Sequence, residues 1–363
     1  MLWPNDPDRE ERAILIAGCG TVQAAHYAVR WPRARVVGID VSANSLAFAQ
    51  ELKQRHKLRN LELHELPIEA AAELGETFDH IACTGVLHHL SDPDRGLRPL
   101  RHVLKASGSI NVMVYAPYGR AGIYMIQEYC RRLGVGWTTR EVHELAAALA
   151  ALPQDHPLAA LIATSRDFVT EAGLADALLH PHDRPYSVPE FLAYLTRNGL
   201  TFGRWVRQAP YLPHCGAITA TPHATRVAAL PVEEQYAAME LFRGTMVRHS
   251  AIAFASPRPQ IDFASDAWST YVPVRLPDTV TVRDALPGGP VAVLINRNHS
   301  YTDLYLPIDA RSERLLDAID GRRTIAEIAR VLHEEQGRAR AFFEQLVRWD
   351  QAVFDVSASK RPI

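Results

Sequence analysis

Gly18, Gly20 and Asp40 are the first residues of this 363-residue chain whose types and spacing point to chemistry. The glycines sit in Gly18-Cys19-Gly20-Thr21, directly after an apolar run at 14–17, and Asp40 ends a second apolar run. Without Cβ atoms, glycines let the backbone approach a ligand and adopt angles closed to other residues. An acid ending the next strand is placed to accept hydrogen bonds from a ribose diol. Further on, His88 and His89 stand side by side. Imidazole titrates near neutral pH, so one of them can serve as general base or as a polar wall; equally, both can hold a turn by hydrogen bonding. Tyr118, Arg120 and Tyr124, with Tyr115 and Glu128, form a polar set that fits either a lid over a reacting group or an ordinary amphipathic helix. Asp183, Arg184 and Tyr186 form another. Arg184 suits a carboxylate, which a guanidinium binds bidentately; equally, an Asp183–Arg184 pair can pin a loop.

The elements that must position these residues follow from hydrophobic periodicity. Residues 13–40 read as strand, tight turn, alanine-rich helix and strand. Residues 42–57 place Leu46, Ala49 and Leu52 on one face, the pattern of a surface helix, and a short strand follows at 61–66. Residues 78–114 read as an Asp-led strand with its apolar centre at 80–83, a turn through Thr84-Gly85-Val86-Leu87-His88-His89, an amphipathic helix, a second turn at 104–109 and an apolar strand.

In that order and spacing the chain resembles the class I S-adenosylmethionine (SAM) dependent methyltransferases. The residues that carry the resemblance are the Gly18–Gly20 loop, Asp40, the Phe78-Asp79 to Val86-Leu87-His88-His89-Leu90 segment and the Leu104-Lys105-Ala106-Ser107-Gly108-Ser109 turn, which looks like the family's LKPGG turn. Two positions depart from the pattern: Ile16 stands where many members carry an acid, and Val22 where the last loop glycine is common. The resemblance implies SAM as cofactor, with S-adenosylhomocysteine as product. It implies cofactor-binding roles for Gly18, Cys19, Gly20, Thr21, Gln23, Asp40, Val41 and Ser45, and for Thr84, Gly85 and Val86 at the amino-acid end. Pro67, Ile68 and Glu69 would lie beside the adenine, with Glu65 an equal alternative to the last two. His88, His89, Tyr118, Arg120, Tyr124, Arg184 and Tyr186 are the candidates for the acceptor side. Methyl transfer from a sulfonium is driven by its leaving group, so positioning can suffice without a strong base.

Composition limits the partners. A 47% hydrophobic content permits a full core, and a net charge of −2 with interspersed signs argues against phosphate-driven binding to nucleic acid. Four cysteines without a CxxC pair argue against disulfides or a thiolate zinc site, and His180 and His182, separated by Pro181, match no common zinc spacing. The acidic start and the lack of a long apolar run lead to the expectation of a soluble cytoplasmic protein.

The expected fold is α/β: a Rossmann-like seven-stranded sheet with a helical lid insertion, and a small α+β winged-helix-like domain after it. Residues 1–257 are assigned to the methyltransferase domain, with the lid and substrate insertion at about 116–190, and residues 258–363 to the second domain, the boundary falling at Ser256-Pro257-Arg258-Pro259. Strand six is expected at 200–206, helices at 221–246, and strand seven, an antiparallel edge strand, at 249–255. Ser187, Pro189 and Glu190 mark a helix start. After 290 a hairpin, three helices and a final strand at 352–356 are expected, similar to winged-helix modules of the PqqD-like peptide-binding kind. Three functions fit: methylation of a small-molecule acceptor, methylation of a peptide recruited by the terminal module, and SAM sensing by a DNA-binding regulator. A homodimer is compatible with each.

Overall fold

The computed structural model describes residues 12–165, 168–258, 261–284, 286 and 288–356. The chain divides into two compact units, one of residues 13–202 and 243–255, the other including 203–242 and 256–363.

In the first unit β1 (Ala13–Ala17), β2 (Arg35–Asp40), β3 (Leu61–Glu65), β4 (Phe78–Thr84) and β5 (Leu104–Tyr115) run parallel. Strands buried on both faces read as continuous apolar runs rather than alternating ones, as Ile14 to Ala17 and Val36 to Ile39 do. The helices α1 (Gln23–Arg30), α2 (Ala43–Arg55) and α3 (Pro93–His102) lie in the crossovers between them. A Cβ added to Gly38 in β2 would stand 2.9 Å from Leu63 Cδ2 and 3.0 Å from the Ala24 Cβ of α1. Small residues on both sides therefore set the close approach of α1 to the sheet, and Val22, where the loop lacks its last glycine, points outward and is exposed.

After β5 come α4 (Ala121–Leu133), α5 (Thr139–Ala150), α6 (Ala159–Thr164) and α7 (Glu171–Leu179), joined by a shared core of Ile123, Ile126, Leu145, Leu149, Leu174 and Leu178. This is the helical insertion expected from the alanine-rich stretch. Helix α8 (Val188–Arg197) starts as expected: the Glu190 carboxylate accepts from Ser187 N at 2.8 Å and Ser187 Oγ at 2.6 Å.

The full strand order is β3-β2-β1-β4-β5-β7-β6, with β6 at Thr201–Trp205 and β7 at Arg248–Phe254. Helices α9 (Ala224–Ala228) and α10 (Val232–Arg243) fall between these two strands. Two expectations need correction. Strand β7 is not the edge: it pairs antiparallel with β5 and lies between β5 and β6. The apolar alternation at 249–255 marks a strand but carries no information on its neighbours. The turn at 104–109 is instead an irregularity inside β5, where Leu104 pairs with Phe78, and Ser109 with His80.

In the second unit β8 (Val272–Arg275) pairs with β12 (Ala352–Asp355), and β9 (Thr279–Val282), β10 (Ala292–Asn296) and β11 (Tyr305–Ile308) form an antiparallel sheet. With α11 (Ala310–Asp317), α12 (Ile325–Val331) and α13 (Gln336–Arg348) they close over Trp268, Leu294, Phe343 and Phe354. The hairpin and three helices agree with the expectation from the sequence, whereas β8 and β9 add two strands to it. Residues 203–242 group with this unit by their contacts. Asp350 is the reason: its carboxylate accepts from Arg204 Nη2 at 3.0 Å and from Ala209 N at 2.8 Å. A short run of sequence gives no sign of such long-range bonds.

Candidate active site

The glycine loop is built by backbone hydrogen bonds. Gly18 N and Cys19 N both donate to Ile39 O at 2.9 Å, joining the end of β1 to the end of β2. Asp40 then holds the loop from both oxygens: Gly20 N donates to Oδ2 at 2.8 Å and Ser42 N to Oδ1 at 2.9 Å. Each carboxylate oxygen keeps a lone pair for a further donor.

Gly18 and Gly20 both have positive φ, +69° and +53°, but their surroundings differ. A Cβ at Gly18 would lie 2.2 Å from Val86 Cγ2, so the loops after β1 and β4 touch there. At Gly20 no atom lies within 4 Å of such a Cβ, leaving the backbone open to a ligand. Gln23 Nε2 donates to Thr84 Oγ1 at 2.8 Å, tying α1 to the end of β4. These features fit a nucleoside-bearing cofactor whose ribose meets Asp40 and whose chain crosses Gly20.

The other expected cofactor positions scatter in character. Thr21 and Val41 are exposed, and Ser45 N donates to the Ser42 side chain at 3.2 Å, which makes Ser42 the N-cap of α2. Pro67 and Glu69 are exposed, whereas Ile68 is buried towards Gly96 of α3. Cys19 is buried, and burial, with Asp40 adding to it, pushes its thiol up to about 12. It is a packed thiol, not a nucleophile. Gly85 takes a φ of +81°, which turns the chain into the His88 and His89 segment.

The candidate acceptor side is made by side chains from four stretches of chain. His88, with 0% exposure, lies with its ring centroid 3.9 Å from that of Tyr115 and 4.2 Å from that of His89. Burial first, then His89, Arg120 and His180, lowers its pKa to about 2, so the ring is neutral. The His89 ring stacks on His180 at 4.2 Å, and its Nδ1 meets His182 O at 2.9 Å. Arg120 Cζ lies 3.4 Å over the Tyr115 ring. Its Nη2 donates to Asp183 Oδ2 at 2.9 Å and its Nε to Tyr124 Oη at 3.2 Å. Gln127 Nε2 donates to the same Asp183 oxygen at 3.0 Å. Arg120 and Asp183 are almost wholly inaccessible, at 4% and 2% of their side-chain surface.

The geometry thus chooses between the alternatives left by the sequence. Asp183 pairs with Arg120, not with its neighbour Arg184, whose side chain is exposed and lies 5.2 Å from the Tyr186 ring. Arg184 N donates to His88 O at 3.0 Å and Tyr186 N to Tyr115 O at 2.9 Å, laying residues 184–186 along the ends of β4 and β5. The Tyr186 ring is buried beside Tyr194, and Tyr118 is 44% exposed, apart from the Arg120 cluster. Gln127 and His180 belong to the cluster although residue type and spacing do not single them out for the acceptor side, whereas Tyr115 and Asp183 fall in the two polar sets that the sequence marks. Gln127 lies in the first helix of the insertion and His180 directly after its last, and so wide a separation carries no periodic signal.

A family model described as a methyltransferase domain matches residues 15–110, the stretch that holds both loops. This chain carries a class I SAM-dependent methyltransferase domain. A protein of Synechococcus described as uncharacterized is 30% identical over 267 residues, covering 70% of this chain and 62% of its own length. The trans-aconitate 2-methyltransferase of Deinococcus radiodurans is 34% identical over 116 residues, 32% of this chain and 42% of that enzyme. The chain thus spans less than two thirds of the length of these relatives. PKMT2 from Rickettsia typhi has the same fold, with a TM-score of 0.65 over 97% of this chain and 73% of that one at 17% identity; a second structure of it holds AdoHcy. Among the described residues no helix is long and apolar enough to cross a membrane.

Proposed function

We propose that this chain is a methyltransferase that moves the SAM methyl group to an N, O or S nucleophile of a small-molecule acceptor. The observation that carries the methyl-transfer part of this reading is the paired grip of Asp40 on Gly20 N and Ser42 N beside the open face at Gly20. When bound, SAM supplies a methyl on a positively charged sulfur, which departs as a neutral thioether when an acceptor lone pair attacks. Asp40 holds the ribose, Gly18 and Gly20 give the backbone access, and Thr84, Gly85 and Val86 border the amino-acid end. Residues 115–186 choose the acceptor, with His88, Tyr115 and Arg120 nearest the strand ends. The four cysteines are buried and free, which supports a reducing, cytoplasmic setting.

A second reading, a peptide or protein acceptor recruited by the terminal winged-helix-like module, draws support from a groove of about 460 Å³ between β11 and α13, lined by Pro307, Ile308, Arg338 and Phe342. The test of both uses methyl-labelled SAM with a cell extract split into small-molecule, peptide and RNA fractions. Label in the small-molecule fraction is expected; label in peptide replaces the first reading with the second. Asp40→Ala should weaken SAM binding about 10- to 100-fold, the roughly 1.5–3 kcal/mol of hydrogen bonds to a charged group. Calorimetric titration with unchanged affinity would remove Asp40 from the site.

A further inference from the structure

The polar side chains of the acceptor side are paired with unusual unevenness. Asp183 uses Oδ2 twice, for Arg120 and Gln127, while its buried Oδ1 has no hydrogen-bond partner among the described residues. The wholly inaccessible His88 ring faces the backbone of Met113, which can accept from one nitrogen, and its other nitrogen has no hydrogen-bond partner among the described residues. The Arg120 guanidinium and the Tyr115 ring link the two groups: Arg120 bonds Asp183 and covers Tyr115, which lies against His88. Buried polar groups are nearly always paired, and leaving one unpaired destabilises a fold. Two such side chains in a single layer at the strand ends mark a place kept for a hydrogen-bonding partner from outside the chain.

Resting on the methyltransferase reading above, we propose that Asp183 Oδ1 and the His88 ring form a specificity site for an uncharged acceptor nucleophile that carries a hydrogen, an N–H or O–H. The charges decide the class. Asp183 repels a carboxylate acceptor, and Arg120, the cation of this layer among the described residues, is committed to Asp183 and Tyr124. Arg120 in turn opposes a second cation, as its effect on His88 illustrates. A neutral donor satisfies Asp183 Oδ1, and neutral His88, with one N–H toward the Met113 carbonyl, accepts at its other nitrogen from a second polar group of the same molecule. Arg184, the candidate for a carboxylate, is exposed and outside this layer.

The decisive variant is His88→Leu. If His88 is held for an acceptor, removing its unpaired nitrogen should raise Tm, by ~2–4 °C in a unit of this size, while SAM affinity stays within about twofold. Transfer to the extract acceptor should fall about 10- to 100-fold. An unchanged or lower Tm would make His88 an ordinary structural residue and overturn the proposal. The labelled product adds an independent check: N- and O-methyl groups of amines and alcohols survive mild base, whereas a methyl ester releases labelled methanol, and methanol release would equally overturn it. Absence of label with SAM bound would sink the methyl-transfer reading instead, leaving the Tm comparison to judge His88.

Discussion

The proposed cofactor side and the proposed acceptor side of the first unit are built by different means. The cofactor side is backbone: two positive-φ glycines, four N–H groups aimed at Ile39 O and Asp40, and a single acid. The acceptor side is side chain, with His88, Tyr115, Arg120 and Asp183 brought from four stretches. A donor molecule common to many enzymes can be held by a fixed backbone shape, whereas acceptor choice demands groups that differ from one protein to the next. The contrast also divides the energetics. Changes on the cofactor side act through backbone strain, and those on the acceptor side through buried charge.

The sharpest way to break this division is Arg120→Met. It leaves the Asp183 carboxylate buried with only Gln127, at a cost of about 3–5 kcal/mol, and chemical denaturation should register that loss while SAM affinity in the folded fraction holds. A fall in SAM affinity comparable to that of Asp40→Ala would mean the two sides are one. Adding Asp183→Leu should recover most of the stability, because the pair is removed whole.

Gly18→Ala is the counterpart. The left-handed angle costs about 1–2 kcal/mol, and the overlap with Val86 roughly 1–3 more. Calorimetry should show weaker SAM binding with little change in the acceptor-side pairs. The same change at Gly20, where nothing lies within 4 Å, should carry the angular strain alone, so equal losses at the two sites would refute the contact with Val86.

The smallest expected effect concerns pH. The pKa of His88 is lowered from 6.5 to about 2 by burial and its charged neighbours, so the unfolded chain takes up a proton that the folded one refuses. Stability is therefore complete above pH 6.5 and declines below it, by about 1.4 kcal/mol per pH unit for this group. His80, buried and lowered to about 4, adds a similar slope that ends near pH 4. Denaturation series between pH 6.5 and 5 should be shallower for His88→Leu than for the parent; identical slopes would mean that His88 is protonated in the folded state.

Features whose meaning is local are legible in the amino acids alone. A strand buried on both faces, a glycine loop and an acid at a strand end are each written in a few adjacent residues, and β1 to β5, the helical insertion and the loop that joins Gly20 to Asp40 follow from them. So do the Ser187 and Glu190 helix start and the terminal hairpin with its three helices. What depends on residues far apart in the chain was settled by the tertiary fold. It put β7 between β5 and β6, joined 203–242 to Asp350, and turned Asp183 to Arg120 rather than to Arg184. The physical reason is that periodicity records whether a side chain is buried, while the identity of its buried partner is settled by closure of the chain around it.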